Sequence, residues 1–148
     1  VGESVVTFCD TSFLFSLYVH NEHTDQAMRF ARRRRASIQV GMLVDYEFYN
    51  ALQFADFSGR LSEADALLGQ ARYRTDLQNG ALQITPENFQ ATLEKAKGLT
   101  RRYLRRFGLR AFDALHVASA LQLGAETFLT FDRLQQKLAV AEGLKSPW

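Results

Sequence analysis

Cysteine, proline, methionine and tryptophan are scarce in this chain of 148 residues, with one Cys, two Pro, two Met and one Trp. The single Cys9 excludes an internal disulfide framework and any cysteine-built metal site, and it fits a reducing, intracellular setting. No apolar run approaches the length of a membrane span, so no membrane partner is expected. The first residues carry no signal-peptide pattern, and a cytoplasmic location is the expectation. Charge of one sign is not in excess either: the net charge is +2 and charged residues make up 23%, so total charge says little about partners. There is no internal repeat, low-complexity tract or linker. One domain covering residues 1–148 is therefore expected.

Hydrophobic residues are plentiful at 47%, enough to build a core. Of 18 basic residues, 14 are Arg, whose planar fork suits phosphate. Short β-rich runs alternate with helical ones. Ser4 to Cys9, Ser37 to Val40, Ala81 to Thr85 and Thr127 to Phe131 are the expected strands, and "GLKSPW" is a possible short edge strand. Between them lie helical stretches with recognisable ends. Asn21 is placed to cap the second helix, which the run Arg32 to Arg35 closes. Ser62 with Asp65 opens another in the manner of a capping box. Thr85 and Pro86 read as cap and first residue of the helix that Gly108 ends. No two strands adjoin in sequence, so no hairpin forms, and the pattern predicts an α/β fold with a parallel sheet of four to five strands covered by helices on both faces.

In such a sheet ligands gather outside the carboxyl ends of the strands. Asp10 follows the first strand and Asp132 ends the fourth. Taken singly, each suits a helix cap; if the two strands are neighbours, both acids share one edge. Glu47 lies among apolar residues at helical spacing, between Leu43 and Ala51 on the side expected to be buried with Leu52 and Phe54. Asn50 projects with it one turn on, whereas Asp45 points elsewhere, to solvent. Asp113 starts a helix that is apolar almost all round, with His116 one turn later as a hydrogen-bonded core histidine. Four such acids in one cleft repel one another unless a cation neutralises them. An all-oxygen carboxylate site favours Mg²⁺ or Mn²⁺ over Zn²⁺, and such an ion supports phosphodiester hydrolysis without a Ser or Cys nucleophile.

Four segments, "VVTFCDTSFLFSLY", "YEFYNAL", "FDALHVASAL" and "GAETFLTFDRLQQKLAVAEGL", stand in the order found in the PIN-domain ribonucleases. The chain resembles that family, and the VapC-like toxins in particular. The resemblance implies a three-layer α/β/α fold and an acidic quartet of Asp10, Glu47, Asp113 and Asp132 that holds Mg²⁺ or Mn²⁺ and carries catalysis. It further implies endonucleolytic cleavage of RNA, a cognate antitoxin and a homodimer. Thr11 and Ser12 match the hydroxyl residues after the first aspartate, and Thr130 the one before the last acid; with Asn50 they would orient the acids or the waters of the ion. Two departures stand out. Relatives often carry a fifth acid where this chain has Gln135, and a hydroxyl residue where it has Gly41.

Arg101, Arg102, Arg105 and Arg106 form a basic helix face, and Arg110 lies just before the Asp113 helix. These are candidate RNA contacts of the phosphate type, which give affinity rather than sequence choice. They suit an acidic antitoxin segment equally well. The expected function is a metal-dependent endoribonuclease with no organic cofactor. The alternative is a non-catalytic PIN-like module that binds RNA or protein. A receiver-type signalling domain fits poorly, since "FCDTS" lacks an acidic pair and "SIQVG" offers no Asp.

Overall fold

Strands of three residues cannot stand alone, and here each is followed by helices that cover it. A computed structural model describes residues 5–148. In chain order the elements are β1 (Thr7–Cys9), α1 (Thr11–Tyr18), α2 (Thr24–Arg33), β2 (Ile38–Val40), α3 (Met42–Phe57), α4 (Glu63–Gln78), β3 (Leu82–Ile84), α5 (Phe89–Phe107), α6 (Ala111–Gln122), β4 (Thr127–Leu129) and α7 (Arg133–Ala141). Every strand pair is parallel and the order across the sheet is β3-β2-β1-β4.

That order places the site. From β1 the chain steps one way to β2 and β3, then returns across the sheet to lay β4 on the other side of β1. Right-handed crossovers in opposite directions put the connecting helices on opposite faces. The helices accordingly pack as two groups, α1 to α4 and α5 to α7. Between β1 and β4 lies the switch point where neighbouring connections diverge. Cys9 pairs with Leu129 there, and the Asp10 amide extends the ladder to the Leu129 carbonyl at 3.0 Å.

Aliphatic and aromatic side chains hold the layers together. Phe8 and Phe128 are fully buried and stack across β1 and β4 with centroids 5.8 Å apart. Burial of each such ring contributes roughly 1.5–3 kcal/mol. Phe13, Leu14, Ile38, Val40, Leu52, Leu99, Val117 and Leu138 complete a continuous core.

The structure differs from the sequence expectations in several places. The expected start of the first strand at Ser4 lies outside the described residues, and the described strand begins at Thr7. The helix after β3 starts at Phe89, not at Pro86. Asn88 is its cap, with Oδ1 accepting from the Ala91 amide at 3.1 Å, while the Thr85 hydroxyl is drawn instead to Gln39 on β2. His23 rather than Asn21 occupies the cap position of α2; Asn21 Oδ1 accepts the His23 amide at 2.8 Å and shapes the turn before it. The buried side of α3 is Val44, Phe48, Leu52 and Ala55, so Phe54 faces out at 55% exposure. Asp45 is not simply solvated, because it accepts the Tyr73 hydroxyl at 2.8 Å. The fourth strand stops at Leu129, and the C-terminal segment adds one bridge, Thr127 to Lys145, rather than a fifth strand.

Candidate functional site

At the carboxyl edge of β1 and β4 the chain turns into α1 and α7, and an aspartate caps each helix. Asp10 Oδ1 accepts the Phe13 amide at 3.0 Å. Asp132 Oδ1 accepts the amides of Leu134 and Gln135 at 2.9 and 3.0 Å. Capping thus uses one oxygen of each carboxylate and fixes where the other points.

Asp10 is fully buried, and hydroxyls surround it. Thr130 donates to its Oδ2 at 2.6 Å and Ser12 donates to its Oδ1 at 2.7 Å. The same two hydroxyls accept from the turn after β4: the Asp132 amide reaches Thr130 Oγ1 at 2.9 Å, and the Phe131 amide reaches Ser12 Oγ at 2.9 Å. Trp148 closes this turn from behind. Its Nε1 donates to the Thr130 carbonyl at 2.7 Å, and its ring stacks on Phe131 with centroids 5.0 Å apart. Burial pushes the Asp10 carboxyl up to about 6, against the hydrogen bonds from Thr130, Phe13 and Ser12, which favour its charged form. Burial likewise raises the thiol of the adjacent Cys9, which leaves it a poor nucleophile.

The other two acids come from helices. Asp113, 2% exposed, sits in the first turn of α6 and accepts the Arg110 amide through Oδ2 at 3.0 Å. Glu47 flanks the buried stripe of α3 and meets His116 Nε2 through Oε1 at 3.1 Å. A carboxylate only accepts, so Nε2 carries the proton. Burial raises the Glu47 carboxyl, but hydrogen bonding from His116, with smaller contributions from Thr11 and from the Arg110 charge, outweighs it, and the net shift is downward. His116 is a hydrogen-bonded core histidine as expected, and fully buried. Sequence gave no hint that its partner would be Glu47, which lies 69 residues away.

All four acids line one cleft of about 750 Å³, together with Thr11, Ser12, Asn50 and Gln135. Among the described residues, no three acid, histidine or cysteine side chains stand at the mutual spacing that holds a metal ion. Arg110 stands among the acids instead. Its Nε lies 3.3 Å from Asp113 Oδ2, and its Nη2 lies 3.2 Å from Asp132 Oδ2. The hydrogen bond to Asp113, then the charges of Asp113, Asp132 and Glu47, raise its already high pKa.

The remaining expected RNA contacts lie elsewhere. Arg101, Arg102, Arg105 and Arg106 are exposed on α5 and do not line the cleft. Arg102 pairs with Glu142 at 3.0 Å, and Arg106 lies over the Phe107 ring at 4.9 Å. Arg60, given no role by sequence, does line the cleft; it lies over the Phe54 ring at 5.7 Å. No local pattern marks it, because a loop residue reaches the cleft only through the outward turn of α3.

Comparison with solved structures gives the same fold at low identity. PAE2754 from Pyrobaculum aerophilum is 21% identical with a TM-score of 0.61, covering 96% of this chain and 83% of its own. VapC20 from Mycobacterium tuberculosis, a sarcin–ricin loop cleaving toxin, is 17% identical with a TM-score of 0.68, covering 93% and 96%. A toxin–antitoxin complex from Klebsiella pneumoniae is 17% identical with a TM-score of 0.62, covering 96% and 98%. No curated protein matches the chain. The PIN domain family model matches residues 7–141, nearly the whole length, and the chain belongs to the PIN domain family.

Proposed function

We propose that this protein is a metal-dependent endoribonuclease and the toxin of a toxin–antitoxin pair. The observation that carries the reading is the meeting of Asp10, Glu47, Asp113 and Asp132, from four separate elements, in one cleft at the sheet's switch point. Membership of the PIN domain family, and a likeness in fold to a sarcin–ricin loop cleaving toxin and to a toxin–antitoxin complex, support it.

The donor set fits a hard divalent cation. All four candidate ligands are carboxylates, the chemistry that Mg²⁺ and Mn²⁺ select. Asp10 is fully buried and makes no salt bridge among the described residues, and a buried carboxylate of this kind gains most from a cation placed beside it. Arg110 already brings a positive group between Asp113 and Asp132. Gln135 Oε1 is buried without a hydrogen-bond partner among the described residues, and it stands where relatives often place a fifth acid. Asp10, Glu47, Asp113 and Asp132 would hold the ion. When bound, such an ion lowers the pKa of water and stabilises charge on phosphoryl oxygens.

The chain's own residues prepare the site. Ser12 and Thr130 fix both oxygens of Asp10, and Thr130 ties Asp10 to the Asp132 backbone. His116 holds Glu47 by one oxygen and leaves the other for the cleft. Thr11 and Asn50 line the wall and would orient bound water. Arg60 offers the cleft a cation for RNA phosphate, while Arg101, Arg102, Arg105 and Arg106 would extend that contact outside it or receive an acidic antitoxin segment. A homodimer in the cytoplasm completes the reading. Among the described residues no helix is long and apolar enough to cross a membrane.

One observation favours a second reading, a non-catalytic RNA- or protein-binding module: no three ligating groups stand at metal-holding spacing among the described residues. One experiment separates the two. Oligoribonucleotides are incubated with wild type and with Asp10→Ala, in Mg²⁺ or Mn²⁺ and in chelator. The nuclease reading expects cleavage that chelator abolishes and that Asp10→Ala reduces by at least about 100-fold, the scale of losing a group that stabilises the transition state. Binding without cleavage supports the module, and cleavage in chelator contradicts the metal dependence.

A further inference from the structure

Arg110 has an unusual placement for a residue beside a proposed cation site. Its guanidinium spans two of the four acids, with Nε and Nη2 on Asp113 at 3.3 and 3.5 Å and Nη2 on Asp132 at 3.2 Å. Its charge is felt by Glu47 as well. The side chain is 69% exposed, so the head has solvent to move into. Its backbone contributes separately, because the Arg110 amide donates to Asp113 Oδ2 at 3.0 Å whatever the side chain does.

We infer that Arg110 is a built-in competitor for the divalent ion: its guanidinium occupies the carboxylate oxygens of Asp113 and Asp132 until an ion takes them. The inference rests on the divalent-ion reading above and adds a residue to it. A guanidinium and a metal ion both need these oxygens, and two positive groups cannot share them at contact distance. With the fork of Arg110 on Asp113 and Asp132, no three carboxylates of the described residues stand at ligating spacing; release of the fork frees those oxygens for an ion. Competition also settles the sign of the effect. An arginine that merely arranged the acids would help an ion bind, and its loss would weaken affinity. An arginine that occupies their place does the reverse.

The test is Mn²⁺ affinity without RNA, measured by calorimetry and by the electron-paramagnetic-resonance signal of free Mn²⁺. Wild type, Arg110→Ala and Arg110→Gln are compared, with circular dichroism to establish the fold of each. The glutamine variant keeps an amide donor and part of the stem without the charge, and serves should the alanine variant fold poorly. Competition from an exposed ion pair is modest, so both variants should bind Mn²⁺ about three- to tenfold more tightly than wild type. Equal or weaker binding by the variants, with wild type binding, overturns the inference and leaves the divalent-ion reading standing. Failure of all three to bind at millimolar Mn²⁺ overturns both.

Discussion

Asp10 shows how much one residue carries. It caps α1, accepts two hydroxyls and lies fully buried, with its carboxyl pushed up to about 6 by that burial. An acid whose folded pKa exceeds its unfolded one binds its proton more tightly in the fold. The ion-free protein should therefore lose stability as pH rises from the ordinary value of 3.8 to about 6, with no further change from this group above that. The loss is on the order of 3 kcal/mol at most. Glu47 acts with the opposite sign in a lower window, since its pKa is depressed: its contribution is present above 4.5 and fades as pH falls below. Urea unfolding in chelator between pH 4 and 7 checks this. The difference in stability between Asp10→Asn and wild type should grow in the variant's favour from pH 4 to about 6 and then level off; a constant difference would show that the burial is not felt. Asp10 and Asp132 were legible in sequence because strand ends and caps are local. The His116–Glu47 bond was not, because 69 residues separate its partners and only the fold brings them together.

Among the elements, helix ends decide where the site's walls begin. A Thr-Pro pair suggests the start of α5, yet the helix begins three residues later on Asn88. The Thr85 hydroxyl had a competing partner in Gln39 across the sheet, a contact no local pattern reveals. Asn88 should thus carry the cap energy: Asn88→Ala is expected to cost about 1 kcal/mol, read as a lower urea midpoint at unchanged slope. A midpoint equal to wild type would remove Asn88 from that role. The helix matters for function because α5 packs along α6, which carries Asp113. Gly108 ends α5 with φ of 67°, a left-handed conformation that favours glycine, and turns the chain so that Arg110 enters the cleft. Helical periodicity locates α3 and its buried Leu52, but places Phe54 inside where the structure turns it out. Val44, Phe48, Leu52 and Ala55 are inside, and the large outward Phe54 helps place Arg60 at the cleft mouth.

Across the whole molecule, the strand order does what no segment does alone. Placing β4 beside β1 joins the first and last thirds of the chain, and the helices that follow α2 and α5 bring Glu47 and Asp113 to the same edge. Alternation of strands and helices made the parallel sheet readable from sequence. The arginines did not follow their sequence pattern in the same way: the basic face of α5 lies outside the cleft, and the cations within it are Arg60 and Arg110. The quartet's shared role as a cation site is the centre of the proposed function, and Mn²⁺ soaked into crystals of the protein tests it most directly by anomalous diffraction. The expected result is an anomalous peak within about 2.2 Å of carboxylate oxygens of Asp10 and at least one of Glu47, Asp113 and Asp132, with the Arg110 guanidinium displaced from Asp113 and Asp132. A structure at saturating Mn²⁺ with no peak in the cleft, and Arg110 still on both aspartates, would contradict it.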